Sequence, residues 1–160
     1  ISKTYAAVSF TITSANDELS KSIEPNAPPS SDRFKAIEQL AKHGIYTGIT
    51  LMPILPFIND RKENIQSLLQ QAKDSGASYI LPMFGVTLRK GSRDYFYKEL
   101  DHKFPGLKEK YNSYFGESYE CLSVKHKELT NTFMDVSAKL GIKTGMQFYQ
   151  PIQYKQQSLF

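Results

Sequence analysis

Hydroxyl and small side chains alternate with bulky apolar ones in two β-branched segments of this chain. Period-two alternation places one set of these small residues on a single face of each predicted strand. These faces carry Ser9, Thr11 and Thr13 in the first segment, and Gly48 and Thr50, followed by the larger Met52, in the second. Hydroxyl groups hydrogen-bond sugars, and glycine lets a ligand approach the backbone, so these faces indicate a small-molecule site. Ser and Thr are also ordinary strand residues, and this plainer interpretation carries equal weight.

A second group of candidate binding residues is basic. It comprises Arg89, Lys90 and Arg93, interleaved with Tyr95, Phe96 and Tyr97. Positive charge provides phosphate affinity and aromatic rings provide stacking, a combination that fits contact with nucleic acid. The nearby carboxylates dilute the cluster, and a solvated helix face is the alternative interpretation.

Glu24 and Arg33 flank a proline-rich turn between the first predicted strand and the first predicted helix. Such loops carry ligand contacts in α/β proteins. The alternative is a rigid turn before a capped helix.

No residue has the pattern of a catalytic group or of a metal site. The three histidines are scattered and Cys121 is the sole cysteine, so we expect this chain to hold no metal. The sequence has no nucleophile elbow, glycine-rich phosphate loop or HExxH pattern. Cys121 is expected to be buried and structural, with a role as a hydrogen-atom relay as the alternative.

These candidates are positioned by repeated helix–strand units. Amphipathic helices are predicted to end at Gly44, Gly76 and Gly141, each followed by a strand-like segment. Asn59 and Asp60 are predicted to cap the second of these helices. The alternation predicts an α/β fold with a parallel sheet, whose bulky face lies under the helices.

The remaining segments divide the chain further. The charged and aromatic stretch 87–107 predicts a loop and a helix, followed by a shorter helix over 108–115, and 116–123 is predicted to be a connector. We expect a main unit over 1–115, a closing helix and final short strand over 116–148, and a flexible tail over 149–160.

Composition limits the class of protein. The chain has 160 residues, a formal net charge of +4 and one cysteine. Its longest apolar run contains two prolines and is too short to span a bilayer, so no membrane contact is expected. The absence of cysteine pairs favours a cytoplasmic location.

The order of three motifs resembles a known family. VSFTIT over 8–13, IEPNAPPSSDRFKAIEQL over 23–40 and HGIYTGITLMPILPFIND over 43–60 resemble a radical S-adenosylmethionine (SAM) protein of the spore-photoproduct-lyase-like type. The resemblance implies the parallel-sheet, C-terminal half of a partial (β/α)6 TIM-type barrel, with helices on the outside. It also implies SAM contacts from three strands, at Ser9, Thr11, Thr13, Gly48, Thr50, Met52, Tyr79 and Leu81. The resemblance includes Glu24 and Arg33, which it implies on the substrate side of the barrel.

The same resemblance implies that the intact protein holds SAM and a [4Fe–4S] cluster. Such an enzyme, lyase-like or otherwise, cleaves SAM reductively to a 5′-deoxyadenosyl radical, which takes hydrogen from a substrate. One thiolate cannot hold this cluster, so the isolated chain is expected to be inactive and to need a missing N-terminal half. The competing hypothesis is a non-catalytic module that binds a nucleotide, nucleic acid or a partner, including a second copy through an exposed sheet edge.

Overall fold

The structure is a computed structural model that describes residues 6–148, and it confirms a mixed α/β fold. Helices and strands alternate along the first half of the chain, as the sequence predicts. The strands are β1 (Ala7–Thr11), β2 (Tyr46–Leu51), β3 (Tyr79–Pro82), β4 (Gly85–Thr87) and β5 (Glu120–Leu122). The helices are α1 (Asp17–Ile23), α2 (Ser30–Lys42), α3 (Lys62–Asp74), α4 (Ser92–Lys103), α5 (Leu107–Phe115) and α6 (His126–Leu140).

Strands β1, β2 and β3 form a parallel sheet in that order. Ser9 pairs with Gly48 and Thr11 with Thr50 across β1 and β2, so the two small-residue faces lie in register. Parallel strands need a crossover connection, and here the crossovers contain α2 and α3. The carboxyl ends of the three strands therefore lie at one edge of the sheet.

One face of this sheet carries the main hydrophobic core. Aliphatic side chains from the strands pack against apolar faces of α2, α3 and α6, and all are nearly inaccessible to solvent. The strand residues are Ile49, Leu51 and Ile80, joined by Ile12 just beyond β1. Burial of apolar surface drives this packing, so the helices are confined to the face predicted for them.

A second, smaller core lies under α4 and α5. Its buried members are Leu55, Ile58, Leu88, Leu100, Tyr111 and Cys121. The Tyr111 hydroxyl donates to the carbonyl of Pro56 at 3.0 Å, which ties α5 to the segment that follows β2. Both helices confirm the prediction for 87–115, whereas the predicted connector over 116–123 contains β5, which pairs antiparallel with β4.

Helix α1 lies between the first predicted strand and the first predicted helix, where the sequence predicts only a proline-rich turn. The Asn16 side chain accepts a hydrogen bond from the Leu19 amide and caps the helix. The carboxylate of Asp17 accepts from both the amide and the hydroxyl of Ser31 at the start of α2, and these bonds lower the pKa of Asp17. The contact with Ser31 therefore fixes a short helix that the local pattern alone did not indicate.

Two further predictions about element ends were wrong. The N-cap of α3 is Arg61, because the side chains of Asn59 and Asp60 are engaged elsewhere. The predicted final strand is reduced, among the described residues after α6, to an isolated parallel bridge between Tyr79 and Lys143. The division into 1–115 and 116–148 stays a prediction, and the tail over 149–160 lies outside the described residues. No helix within 6–148 has the length and apolarity needed to cross a bilayer.

The face of the sheet opposite the main core contains a close approach between β2 and β3. Gly48 pairs with Tyr79, and the ring of Tyr79 lies across the position that a Gly48 side chain would occupy. The Tyr79 hydroxyl reaches Ser9 on β1 and hydrogen-bonds its hydroxyl at 2.6 Å. One aromatic side chain thus bridges all three strands, and this requires glycine at position 48.

We therefore expect Gly48→Ala to destabilise the fold by about 1–3 kcal/mol, because the added methyl group collides with the Tyr79 ring. Urea denaturation measures this loss. The matched control is Gly145→Ala, where an added Cβ meets no atom within 4 Å and the loss should be small. In a Tyr79→Leu background the cost of Gly48→Ala should fall, and an unchanged cost would contradict the steric explanation.

Candidate functional site

The open face of the sheet presents hydroxyl groups near the carboxyl ends of β1 and β2. Ser9 and Thr11 are exposed and Thr50 is half-buried. The hydroxyls of Thr11 and Thr50 lie 2.9 Å apart and hydrogen-bond each other across the two strands. Leu81 on β3 pairs with Thr50 on β2 and is also half-buried. Thr11, Thr50 and Leu81, three of the predicted cofactor contacts, therefore form one row on this face.

Three other predicted cofactor residues are placed differently. The space beside Gly48 is filled by the ring of Tyr79, so this glycine serves internal packing and not close approach of a ligand. Tyr79 is fully buried, with its ring 5.0 Å from that of Tyr46. Met52 is half-buried after the end of β2, where it precedes a cis peptide bond to Pro53.

Thr13 does not continue the row of exposed hydroxyls, which corrects the predicted line of three. It is fully buried, and its hydroxyl donates to Glu24 at 3.2 Å. Glu24 also accepts from Nη1 of Arg33 at 3.0 Å. The structure therefore brings Thr13, Glu24 and Arg33 together at the carboxyl end of β1.

Arg33 organises that end of the strand. Its Nη1 donates to the carbonyl of Thr11 at 2.7 Å and its Nε to the carbonyl of Pro28 at 2.8 Å. Its Nη2 is buried and has no hydrogen-bond partner among residues 6–148. The guanidinium holds the proline-rich turn against β1 and leaves one donor nitrogen unsatisfied.

The side chains of two asparagines hydrogen-bond the backbone of the neighbouring loops, and the sequence did not predict this role for them. Asn59 is buried, accepts from the Leu55 amide at 2.5 Å and donates to the carbonyl of Thr13 at 2.7 Å. Asn64 donates to the same carbonyl and accepts from the Ala15 amide. In the sequence, the two asparagines are marked only by their position after a strand, and that position predicts a helix cap equally well.

A cavity of about 630 Å³ lies beside these loops. Its wall includes Asn16, Phe57, Arg61, Glu63 and Asn64. Phe57 has a positive φ of 65°, which is rare for a large side chain and marks a constrained loop. The exposed Arg61 and Glu63 have opposite charges, and the side-chain oxygens of Asn16 and Asn64 accept backbone N–H bonds, so we assign no chemistry to this cavity.

The structure divides the predicted basic cluster. Arg89 and Lys90 are exposed, but Arg93 is buried and makes five hydrogen bonds of 2.7–3.1 Å. Four of its acceptors are backbone carbonyls, those of Leu88 and of the turn 116–118, and the fifth is the Glu117 carboxylate. The guanidinium of Arg93 is thus engaged in structural hydrogen bonds, and its predicted contact with an anionic partner stays a prediction.

Replacing Arg93 should therefore destabilise the folded protein. We expect Arg93→Met to lower the free energy of unfolding by about 2–4 kcal/mol, because it leaves buried carbonyl groups without donors. The matched control is Arg89→Met, an identical change at an exposed position, which should cost about 0.5 kcal/mol or less. Equal urea midpoints for the two variants would contradict the structural role.

Tyr119 joins the two exposed cations as a residue that the sequence did not indicate. Its hydroxyl is hydrogen-bonded by the side chains of Arg89 and Thr87, and these bonds lower the pKa of Tyr119. The hydroxyl therefore lies in a positive environment beside the start of α4. The pairing of β4 with β5 brings residues 87–89 next to 119, and this long-range contact has no signal in the local sequence pattern.

No group of three His, Cys, Asp or Glu side chains within 6–148 is arranged to hold a metal ion. Cys121 is buried in the second core, and this burial raises the pKa of its thiol. The prediction of a buried cysteine is confirmed. A thiol in this environment is a poor nucleophile at neutral pH, because only the thiolate reacts.

Cys121 should accordingly resist alkylation in the folded protein. We expect iodoacetamide at pH 7 to modify it at least tenfold more slowly than in protein unfolded in urea, as measured by intact-mass spectrometry. A variant that opens the second core, Tyr111→Ala, should narrow this difference. Equal rates in folded and unfolded wild-type protein would show that the thiol is accessible.

Comparison with known proteins gives few relatives. No family model matches the chain, and no solved structure matches it. The chain is 26% identical over 109 residues to an uncharacterized protein of Mycobacterium bovis, and equally to uncharacterized proteins of two strains of Mycobacterium tuberculosis. The match covers 68% of this chain and 32% of each relative, so the chain spans about a third of the length of the curated relatives it matches.

Proposed function

We propose that this chain is the C-terminal part of a radical SAM protein and forms one wall of its SAM site. In this proposal the parallel sheet is half of a partial (β/α)6 barrel, whose other strands belong to a missing N-terminal half. The intact protein is then a cytoplasmic enzyme of the lyase-like type, or one acting on another substrate. When bound together, the cluster and SAM supply a radical that takes a hydrogen atom from the substrate.

The observation that carries this proposal is the row formed by Thr11, Thr50 and Leu81 on the open face of the sheet. All three strands run in the same direction, and the helices of the main core cover the opposite face. Ligands of open parallel sheets bind at the carboxyl ends of the strands, where these hydroxyl groups lie. A sugar hydroxyl can accept hydrogen bonds from two threonine hydroxyls and donate to them, and a carboxylate can accept hydrogen bonds from them.

The iron–sulfur cluster does not fit the residues of this chain. A [4Fe–4S] cluster needs several cysteine thiolates, whereas this chain has one cysteine, buried away from the open face. The proposal therefore assigns the cluster ligands wholly to the missing half. No step of the chemistry is assigned to a side chain of this chain, and Ser9, Thr11 and Thr50 would position SAM.

The alternative proposal is a binding module without catalytic chemistry. Strand β1 has no neighbour on its outer side among the described strands, so its backbone groups are available to a second polypeptide. A partner or a second copy would then add strands there. The two proposals differ in whether the longer gene product contains a three-cysteine cluster motif.

The first experiment uses the longest natural gene product that contains this chain. After anaerobic reconstitution with iron and sulfide, we expect absorbance of an iron–sulfur cluster and, with a reductant, 5′-deoxyadenosine formed from SAM. If the longer protein lacks three closely spaced cysteines, or forms no 5′-deoxyadenosine, the proposal of a radical SAM enzyme is wrong and the binding module is favoured.

The contribution of this chain is tested by Thr50→Val in that same protein. Loss of one hydrogen bond should raise the Kd for SAM by about threefold to tenfold and leave the cluster spectrum unchanged. The matched control is Thr47→Val on the same strand, because the Thr47 hydroxyl is buried on the opposite face and has no partner among the described residues. Equal effects of the two substitutions on SAM binding would contradict a site on the open face.

A further inference from the structure

A cavity of about 490 Å³ lies at the start of α4, next to the β4–β5 pair. It lies away from the row of threonines on the open face and shares no residue with it. Its wall is formed by Leu88, Arg89, Lys90, Gly91, Arg93, Asp94, Glu117 and Tyr119. The lining therefore contains three cations, two carboxylates and a phenol.

Arg93 forms one side of this cavity and neutralises the carbonyl groups that would otherwise repel an anion there. Its guanidinium binds the carbonyl groups of Leu88 and of the turn 116–118, which closes the cavity on one side. Those carbonyl dipoles are then directed at a buried cation and not at the solvent in the cavity. An anion entering here meets less repulsion than it would beside free carbonyl groups.

The two exposed cations have no competing carboxylate partner. Within residues 6–148, neither Arg89 nor Lys90 forms an ion pair, whereas Glu117 is already paired with Arg93 at 2.7 Å. The Arg89 side chain instead lies beside the Tyr119 hydroxyl and lowers the pKa of that phenol. Asp94 is the remaining carboxylate of the wall, so the cavity keeps an excess of positive charge.

The backbone adds further donors. Gly91 is the N-cap of α4 with a φ of 90°, and no side chain caps this helix. The first amides of a helix favour an anion at its N-terminus, and here the amide of Arg93 already donates to the Arg89 carbonyl, which leaves those of Ser92 and Asp94. Asp94 in the first turn offsets part of this effect, but it leaves Arg89 and Lys90 unpaired.

We propose that this cavity binds the terminal phosphate of a nucleotide or an oligonucleotide. Arg89 binds two phosphate oxygens through its planar fork, Lys90 contributes a second positive charge, and the Tyr119 hydroxyl donates a further bond. A phosphate monoester carries close to two negative charges at neutral pH, which matches two unpaired cations better than a phosphodiester does. The Tyr119 ring is 48% exposed and offers a face on which the adjoining base can stack.

The test measures the affinity of the 160-residue chain for four phosphate-bearing or control probes at constant ionic strength. The probes are a short single-stranded oligothymidylate with a 5′-phosphate, the same oligonucleotide with a 5′-hydroxyl, thymidine monophosphate and inorganic phosphate. We expect the 5′-phosphate to tighten oligonucleotide binding about tenfold. Competition by thymidine monophosphate, and more weakly by inorganic phosphate, would assign this gain to the terminal group.

Variants then locate the site. Arg89→Met with Lys90→Met should abolish the gain from the 5′-phosphate, and Tyr119→Phe should reduce it by a few-fold. The matched control, Lys62→Met with Lys98→Met, removes the same charge from exposed positions that do not line the cavity and should keep the gain. Circular dichroism checks that all variants are folded.

Two results would overturn the proposal. One is equal affinity for the 5′-phosphate and 5′-hydroxyl oligonucleotides, which would mean that no terminal phosphate is recognised. The other is an equal loss in the Arg89/Lys90 and Lys62/Lys98 variants, which would reduce the effect to overall charge. Neither result bears on SAM binding at Thr11 and Thr50, so the two proposals fail independently.

Discussion

The fold depends on the burial of one face of a three-stranded parallel sheet beneath α2, α3 and α6. Ile49, Leu51 and Ile80 are each about 1% exposed, and burial of apolar side chains is the dominant favourable term in folding. This one-sided core determines the rest of the arrangement. The helices must occupy a single face, the opposite face remains free for hydroxyl groups, and the strand ends lie at one edge where loops meet.

Two buried arginines complete what the core cannot supply. Arg33 and Arg93 are each 8% exposed, and each binds backbone carbonyls at the end of a strand and in a turn. Loops at the end of a strand present polar groups that must find partners when they are buried. A guanidinium donates hydrogen bonds to several carbonyls at once, so each arginine supplies donors that a neighbouring strand would otherwise provide. This explains why an arginine in a charged segment is not always a binding residue.

Much of the fold follows from patterns that are local in sequence. The glycines at 44, 76 and 141 mark the ends of α2, α3 and α6 because each adopts a positive φ that other residues avoid. Period two also placed Thr11 and Thr50 on the face away from the helices, as observed. Long-range contacts were not predictable in this way. The burial of Arg93 depends on carbonyls of the distant turn 116–118, and helix α1 depends on a contact between Asp17 and Ser31.

The packing of Tyr79 over Gly48 also has an evolutionary consequence. A side chain at position 48 and a large ring at position 79 exclude each other, so the two positions cannot vary independently during descent. A lineage that gains a side chain at 48 must first shrink residue 79, and that first step also removes the hydrogen bond to Ser9. The order of substitutions is therefore constrained by shape. Among homologues, glycine at one position and a tyrosine at the other should be inherited as a pair.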